Sequence, residues 1–112
     1  MARPNARDDE RRSKITDRIG AIGFALPGTL IVRRTSCKKQ GCRCMSEPPQ
    51  LHGPYFQWTR KVNGTTVTRL LTQEQMDRYG PWFDNAKQAR VLLSELEALS
   101  LRIAESIEDW GD

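Results

Sequence analysis

Three cysteines and a histidine lie close together near the middle of this 112-residue chain. Cys37, Cys42, Cys44 and His52 follow the spacing C-x4-C-x-C-x7-H, and they are all of the cysteines and the only histidine in the sequence. Zinc favours four tetrahedral nitrogen and sulfur ligands, and a closed set of three cysteines and one histidine is a common structural type. The spacing therefore predicts one structural zinc ion, with no coordination position left open for a substrate.

Two other interpretations of the cysteine cluster stay open. In the first, the thiols are an accidental group of reduced, partly buried side chains. In the second, they hold an iron–sulfur cluster or form a redox switch. A disulfide framework is the least compatible with the sequence, because the number of cysteines is odd and a cytoplasmic location is expected. That location follows from a charged N-terminus and from residues 19–26, the longest nearly apolar stretch, which is too short to cross a bilayer.

Positive charge is concentrated in the same part of the chain. Residues 27–72 contain eight basic residues and one acidic residue, a net charge of +7, whereas residues 73–112 contain four basic and nine acidic residues, a net charge of −5. A basic segment that also contains aromatic residues predicts contact with nucleic acid, with DNA as the expected partner. The candidate contacts are Arg33, Arg34, Lys38, Lys39, Arg43, Tyr55, Arg60, Lys61 and Arg69.

The basic residues also have a plainer explanation. Three thiolates around Zn²⁺ leave about one net negative charge, which Lys38, Lys39 and Arg43 would neutralise by hydrogen bonds to the sulfur atoms. The basic residues on strands would then be ordinary solvated side chains. Within the aromatic group, Tyr55 is the better candidate for an exposed contact, with Gln57 beside it.

The clearest local signal is a β-hairpin around Asn63-Gly64, the preferred pair for a two-residue type I′ turn. The turn predicts strands at residues 55–62 and 65–71, with Val62 opposite Thr65 and so on to Phe56 opposite Leu71. One face, which contains Phe56 and Trp58, is mostly apolar and is expected to pack on the core. The other face is polar and basic and is expected to be exposed.

The other elements predict an α+β fold with a small zinc-bound antiparallel sheet of about three strands. One helix precedes this sheet in the sequence, and a long helix follows it. A first helix is expected from Asp8 to Leu26, before Pro27-Gly28, followed by a strand over residues 29–35. Thr72 and Gln75 have capping-box spacing, so a helix begins at Gln73. Gly80-Pro81 is expected to interrupt it before a long helix over residues 82–109.

We expect a single domain over residues 1–112, with a flexible tail at 1–7, a basic zinc and sheet core at 28–72 and a helical region at 73–110. In the last region an apolar stripe repeats at coiled-coil spacing. It consists of Leu92, Leu96, Leu99, Ile103, Ile107 and Trp110. This stripe is predicted to pack on the first helix or, alternatively, to bind a second copy or a partner protein through residues 82–110.

The segment from Gly28 to Leu71 resembles a family of small, functionally unassigned prokaryotic and phage proteins. The resemblance lies in Gly28-Thr29-Leu30 at the start of a strand, the C-x4-C-x-C cluster, and His52-Gly53-Pro54-Tyr55 before a hairpin. A long, charged C-terminal helix follows in that family as well. The resemblance implies the arrangement of elements but no settled activity.

Catalysis is not expected from this sequence. The H-x-E and P-C-x-x-C motifs of zinc deaminases are absent. With His52 assigned to the metal no histidine remains as a general base, and there is no glycine-rich phosphate loop. The sequence therefore favours a zinc-stabilised nucleic-acid-binding accessory protein, with a protein–protein interaction adaptor as the alternative.

Overall fold

The computed structural model describes residues 3–36, 40–43 and 51–111. The elements follow in the order α1 (Ala6–Gly20), β1 (Thr29–Thr35), β2 (His52–Val62), β3 (Thr65–Leu71) and α2 (Gln73–Glu108). The three strands form one antiparallel sheet in the order β1-β2-β3. The predicted α+β class, with a three-stranded sheet between two helices in sequence, is confirmed.

The described residues divide into two compact units. One unit contains the residues up to Ala25 together with those from Asp84 onward, and the other spans Leu26–Phe83. The sheet and the first turns of α2 belong to the second unit, where Phe56 and Phe83 are buried. Helix α1 and the rest of α2 belong to the first unit.

The hairpin has the predicted turn and the predicted register. Asn63 has φ 50° and Gly64 has φ 81°, which are the positive values that a type I′ turn requires. All seven pairs follow, from Val62 opposite Thr65 to Phe56 opposite Leu71. Because side chains alternate between faces along a strand, this register also decides which residues share a face.

The sheet has two faces of different character. We call the first the core face; its side chains are Leu30, Val32, Phe56, Trp58, Arg60, Val62, Thr65, Val67, Arg69 and Leu71. We call the second the outer face; its side chains are Thr29, Ile31, Arg33, Tyr55, Gln57, Thr59, Lys61, Thr66, Thr68 and Leu70. Phe56 is buried and Phe83 of α2 contacts Trp58, whereas Tyr55 and Leu70 are exposed. The predicted orientation of the hairpin is confirmed.

Helix α1 begins and ends earlier than the sequence predicted. Asn5 caps it, because its side chain accepts the Asp8 backbone N–H at 2.9 Å and the Asp8 carboxylate accepts the Asn5 N–H at 3.1 Å. Two residues of the expected tail, Ala6 and Arg7, are therefore helical. The predicted continuation to Leu26 is wrong. Glycine costs about 1 kcal/mol in a helix interior, so Gly20 ends the helix despite the apolar residues that follow.

Helix α2 is continuous where an interruption was predicted. It begins after a capping box in which Gln75 N–H donates to Thr72 Oγ1 at 3.1 Å and Thr72 N–H donates to Gln75 Oε1 at 2.9 Å, as expected. Proline disfavours a helical conformation for the preceding residue partly through contact with its Cβ, and Gly80 has none. The helix therefore passes through Gly80-Pro81, and the predicted break is wrong.

Two residues of the apolar stripe of α2 are buried and three are half-buried, within the unit that contains α1. Leu92 is 0% exposed and Leu99 is 4% exposed. Trp110, which was assigned to the same stripe, lies beyond the helix and is exposed. The reason is that Asp109 has φ 56°, a left-handed conformation that ends the helix. Within the described residues, neither helix combines the length and the apolar character that a membrane span requires.

Candidate functional site

Two of the four predicted metal ligands lie in contact. Cys42 Sγ is 3.3 Å from His52 Nε2, and both residues are half-buried. With a zinc–sulfur bond of about 2.3 Å and a zinc–nitrogen bond of about 2.0 Å, two ligands of one tetrahedral zinc ion lie about 3.5 Å apart. The observed distance is close to that value, so the pair fits two corners of a tetrahedral zinc site.

The complete ligand set stays a prediction, because Cys37 and Cys44 lie outside the described residues. In the part of the chain that the structure describes, no group of three or more His, Cys, Asp or Glu side chains is placed to hold a metal ion. A separation of 3.3 Å between sulfur and nitrogen also fits a thiol–imidazole hydrogen bond. The geometry is therefore compatible with zinc ligation and with a simple polar contact, and these two states differ greatly in their expected effect on stability.

A β-bulge in β2 decides where His52 lies. Tyr55 is opposite Arg33 and His52 is opposite Thr35, so β2 has one residue more than β1 over this stretch. A bulge bends a strand and changes the direction of the side chains beside it. Here it places His52 opposite the end of β1, and Cys37 follows that end by two residues in the sequence. The β1–β2 pairing thus places His52 at the end of β1, and Cys42 lies within contact distance of it.

Gly53 makes this bulge possible. Its φ is 113°, and a Cβ at this position would lie 2.8 Å from the Arg33 carbonyl oxygen. A larger residue would therefore push β1 and β2 apart beside His52. The hairpin prediction began its first strand at Tyr55, whereas β2 begins at His52. The Gly53-Pro54 pair was the available signal, because glycine inside a strand often marks a bulge.

The outer face holds three of the predicted nucleic-acid contacts. Arg33 is opposite Tyr55, and its Nη1 donates to Gln57 Oε1 at 3.0 Å. Lys61 Nζ donates to Thr66 Oγ1 at 2.8 Å. Tyr55 is 41% exposed and borders a shallow depression. The depression is lined by Arg33, Thr35, Tyr55, Gln57 and Leu70.

Two other predicted contacts lie on the core face. The Arg60 guanidinium covers the Trp58 ring at 4.2 Å from the ring centroid, an arrangement in which cation and ring attract each other. Its Nη1 is buried and has no hydrogen-bond partner among the described residues. Arg69 is opposite Trp58 and exposed. Neither side chain reaches the surface formed by Arg33 and Tyr55.

The remaining candidates are separated from the outer face or lie outside the described residues. Arg34 alternates with Arg33 along β1 and so points to the opposite side. Arg43 is exposed in the segment next to Cys42. Lys38 and Lys39 lie outside the described residues. The structure therefore groups Arg33, Tyr55 and Lys61 on one surface, which charge counting along the sequence did not distinguish.

Comparison with protein families identifies the chain. The family model for DUF6788, a domain of unknown function, matches residues 6–79. The chain belongs to the DUF6788 family. The match includes α1, the whole sheet and the first turns of α2. No curated protein and no solved structure matches this DUF6788 protein. Membership agrees with the expected resemblance to an unassigned family, while the cysteine and H-G-P-Y pattern stays a prediction.

Proposed function

We propose that this protein is a zinc-stabilised nucleic-acid-binding protein that catalyses no reaction, with DNA as its partner and the cytoplasm as its location. The observation that supports this proposal best is the outer face of the sheet. It presents an exposed tyrosine beside an arginine that is held in place by a neighbouring glutamine. Cations that bind phosphates next to an aromatic ring that stacks on bases are the basis of many nucleic-acid-binding sheets.

The charge of the sheet supports the same partner. The three strands contain five basic residues and no acidic residue. A phosphate group on either face of the sheet therefore meets no electrostatic repulsion from acidic side chains of the strands. Because Arg33 and Lys61 already donate to Gln57 and Thr66, their side chains are partly fixed before binding. Fixed side chains lose less entropy when they bind, so a smaller part of the binding energy is spent on ordering them.

Tyr55 favours single-stranded over duplex nucleic acid on this surface. Its ring is exposed on a β-sheet, with the apolar side chains of Ile31 and Leu70 also exposed on the same face. Unpaired bases stack on such rings, whereas the bases of a duplex are already stacked on each other. The short distance across three strands limits the contact to a few nucleotides.

Zinc has a structural role in this proposal. The predicted ligands lie in the connection between β1 and β2 or, for His52, at the first residue of β2. Binding of all four to one ion would close that connection, and because the unfolded chain has no preformed site, the free energy of zinc binding would stabilise the folded unit. The ion would thereby hold the bulge that sets His52 opposite Thr35.

The first prediction tests the cations of the outer face. The double variant Arg33→Gln plus Lys61→Gln is expected to reduce the slope of log affinity against log salt by about 1.4, since each phosphate contact on a single strand contributes about 0.7. Fluorescence anisotropy with a labelled oligothymidylate at several salt concentrations measures this slope. The control is Lys87→Gln plus Arg90→Gln, which removes the same charge from exposed positions on α2. An equal change of slope in both double variants would contradict the assignment.

The same titration separates stacking from charge. Tyr55→Leu removes the ring without changing the net charge, so it is expected to weaken single-strand binding about tenfold and to leave the salt slope unchanged. Binding to a duplex of the same length is expected to change less. If Tyr55→Leu affects both forms equally, the tyrosine has no stacking role on this face.

An interaction adaptor remains the second candidate, and a specific observation supports it. Val91 is 58% exposed and Leu101 is 56% exposed on α2, and Ala98 lies between them at heptad spacing. Leu92 and Leu99, by contrast, are buried inside the chain. A second copy or a partner would therefore use the exposed residues of α2 and not the predicted leucine stripe.

The second prediction tests this candidate by sedimentation velocity. Val91→Asp plus Leu101→Asp changes only exposed side chains, so the thermal midpoint is expected to stay within a few degrees of wild type. If α2 mediates dimerisation, the wild type sediments as a dimer and the variant as a monomer. A wild type that is monomeric at all concentrations would contradict dimerisation through residues 82–110.

A further inference from the structure

A pocket of about 440 Å³ lies within the unit Leu26–Phe83, between the core face of the sheet and the first turns of α2. This volume is within the usual range for small-molecule sites. Aromatic side chains provide half of its lining residues. The lining residues are Leu26, Trp58, Arg69, Leu71, Gln75, Tyr79, Trp82 and Phe83.

The aromatic walls are held by contacts with their neighbours. Tyr79 and Trp82 form an edge-to-face pair with ring centroids 5.1 Å apart, and Trp58 and Phe83 form another at 5.7 Å. Trp58 Nε1 donates to the Pro27 carbonyl oxygen at 2.8 Å, which fixes the orientation of the indole. A flat ring would meet these walls in an edge-to-face or an offset stacked arrangement, and both are favourable.

The polar groups described at the pocket are hydrogen-bond donors. Arg69 lies opposite Trp58 and lines the pocket. Its guanidinium makes no ion pair or hydrogen bond within the described residues. Gln75 uses its Oε1 to accept the Thr72 N–H, which leaves its amide N–H groups as donors. No acidic residue lines the pocket. The pocket therefore combines aromatic walls with donors and a cation, and this combination suits an anion.

We propose that this pocket binds a planar aromatic ring that carries an anionic group, with the size and chemistry of a purine mononucleotide. The ring occupies the aromatic part of the pocket, and the phosphate is bound by Arg69. A guanidinium binds phosphate through parallel N–H donors, which gives the charged end a defined position. The site lies on the core-face side of the sheet, so it does not depend on the proposed nucleic-acid surface around Tyr55.

The third prediction tests the pocket with AMP, adenosine and ribose 5-phosphate. The parent protein is Trp110→Phe, because Trp110 is exposed and lies outside the pocket, and its removal leaves only Trp58 and Trp82 as tryptophan reporters. AMP is expected to change tryptophan fluorescence in a saturable way. Adenosine, which lacks the anion, is expected to bind about tenfold more weakly. Ribose 5-phosphate, which lacks the ring, is expected to cause no change.

Matched variants locate the binding. Arg69→Gln is expected to reduce AMP affinity about tenfold to the level of adenosine, and to leave adenosine affinity unchanged. Arg90→Gln removes an equal charge from an exposed position that does not line the pocket, and is expected to bind AMP as the parent does. Circular dichroism checks that each variant is folded.

Three results would overturn the proposal. They are the absence of a saturable response to AMP in folded protein, equal responses to AMP and ribose 5-phosphate, and unchanged AMP affinity in Arg69→Gln. Tyr55→Leu provides the comparison with the outer face. If it abolishes AMP binding while Arg69→Gln does not, the nucleotide binds at the outer face and the pocket assignment is wrong.

Discussion

Replacing Cys42 with serine is expected to remove one zinc ion per chain and to unfold the unit Leu26–Phe83, which contains the sheet and is called the sheet unit below. Serine retains the approximate size and a polar atom of cysteine, but its hydroxyl is a much poorer zinc ligand than a thiolate. Structural zinc contributes about 10–16 kcal/mol to the folding of zinc-finger peptides, which is comparable to or larger than the net stability of about 5–15 kcal/mol of most domains. Elemental analysis of protein purified without a histidine tag, together with circular dichroism, measures both effects.

The size of the effect distinguishes zinc from a simple hydrogen bond. If Cys42 Sγ and His52 Nε2 only share a proton across their 3.3 Å separation, the serine variant keeps a comparable hydrogen bond and loses at most about 1 kcal/mol. Gln40→Ala is the matched control, because it changes an exposed residue two positions from Cys42 without removing a ligand. This variant is expected to retain one zinc ion per chain and the circular dichroism spectrum of the wild type. His52→Ala is expected to behave like Cys42→Ser.

A wild type without metal, or a Cys42→Ser variant that stays folded, would disprove the structural zinc site. Iron in place of zinc would favour the alternative in which the three thiols hold a cluster or act as a redox switch. Either result leaves the outer face as a separate hypothesis, because Tyr55, Arg33 and Lys61 are positioned by strand pairing within the sheet.

The hairpin could be predicted because the residues that determine it are adjacent in the sequence. Asn63-Gly64 requires two positive φ values, and a two-residue turn fixes the opposing residues of both strands. Pairing of β1 with β2 is different, since the two strands are separated by residues 36–51 and no turn fixes their register. The bulge that places His52 opposite Thr35 arises from this pairing. The sequence therefore predicts His52 as a candidate ligand but does not locate it relative to β1.

Net charge along the chain predicts the candidate nucleic-acid contacts as one patch, because it does not distinguish the two faces of a strand. Arg60 and Lys61 are adjacent in sequence and must point to opposite faces of β2. The hairpin register was known from the sequence, so this division was already implied for Arg60, Lys61 and Arg69. The sequence does not imply a face for Arg33 or Arg34, because their faces depend on how β1 pairs with β2. The aromatic pocket was missed for a similar reason, since the expected break at Gly80-Pro81 separated Tyr79 from Trp82.

The last prediction concerns Gly28, the residue before β1, where a Cβ would meet atoms of Thr59 and Trp58 in β2. Gly28→Ala is expected to destabilise the sheet unit by about 3 kcal/mol or more. Gly28 has φ 94°, which costs a residue with a side chain about 1–2 kcal/mol. A Cβ would in addition collide with the Thr59 carbonyl oxygen and lie 2.9 Å from Trp58 Nε1. Because backbone atoms cannot rotate away, this collision adds to the cost of the backbone conformation.

Gly64→Ala separates the two contributions. Gly64 has a similar φ of 81°, but a Cβ there would meet no atom within 4 Å. Only the backbone cost of about 1–2 kcal/mol is therefore expected in this variant. Urea denaturation followed by tryptophan fluorescence gives the free energy of unfolding for both proteins. Equal destabilisation would show that β1 yields to the added methyl group. A larger loss in Gly28→Ala would show that the close approach at Gly28, which also sets the Pro27 carbonyl against Trp58, is rigid.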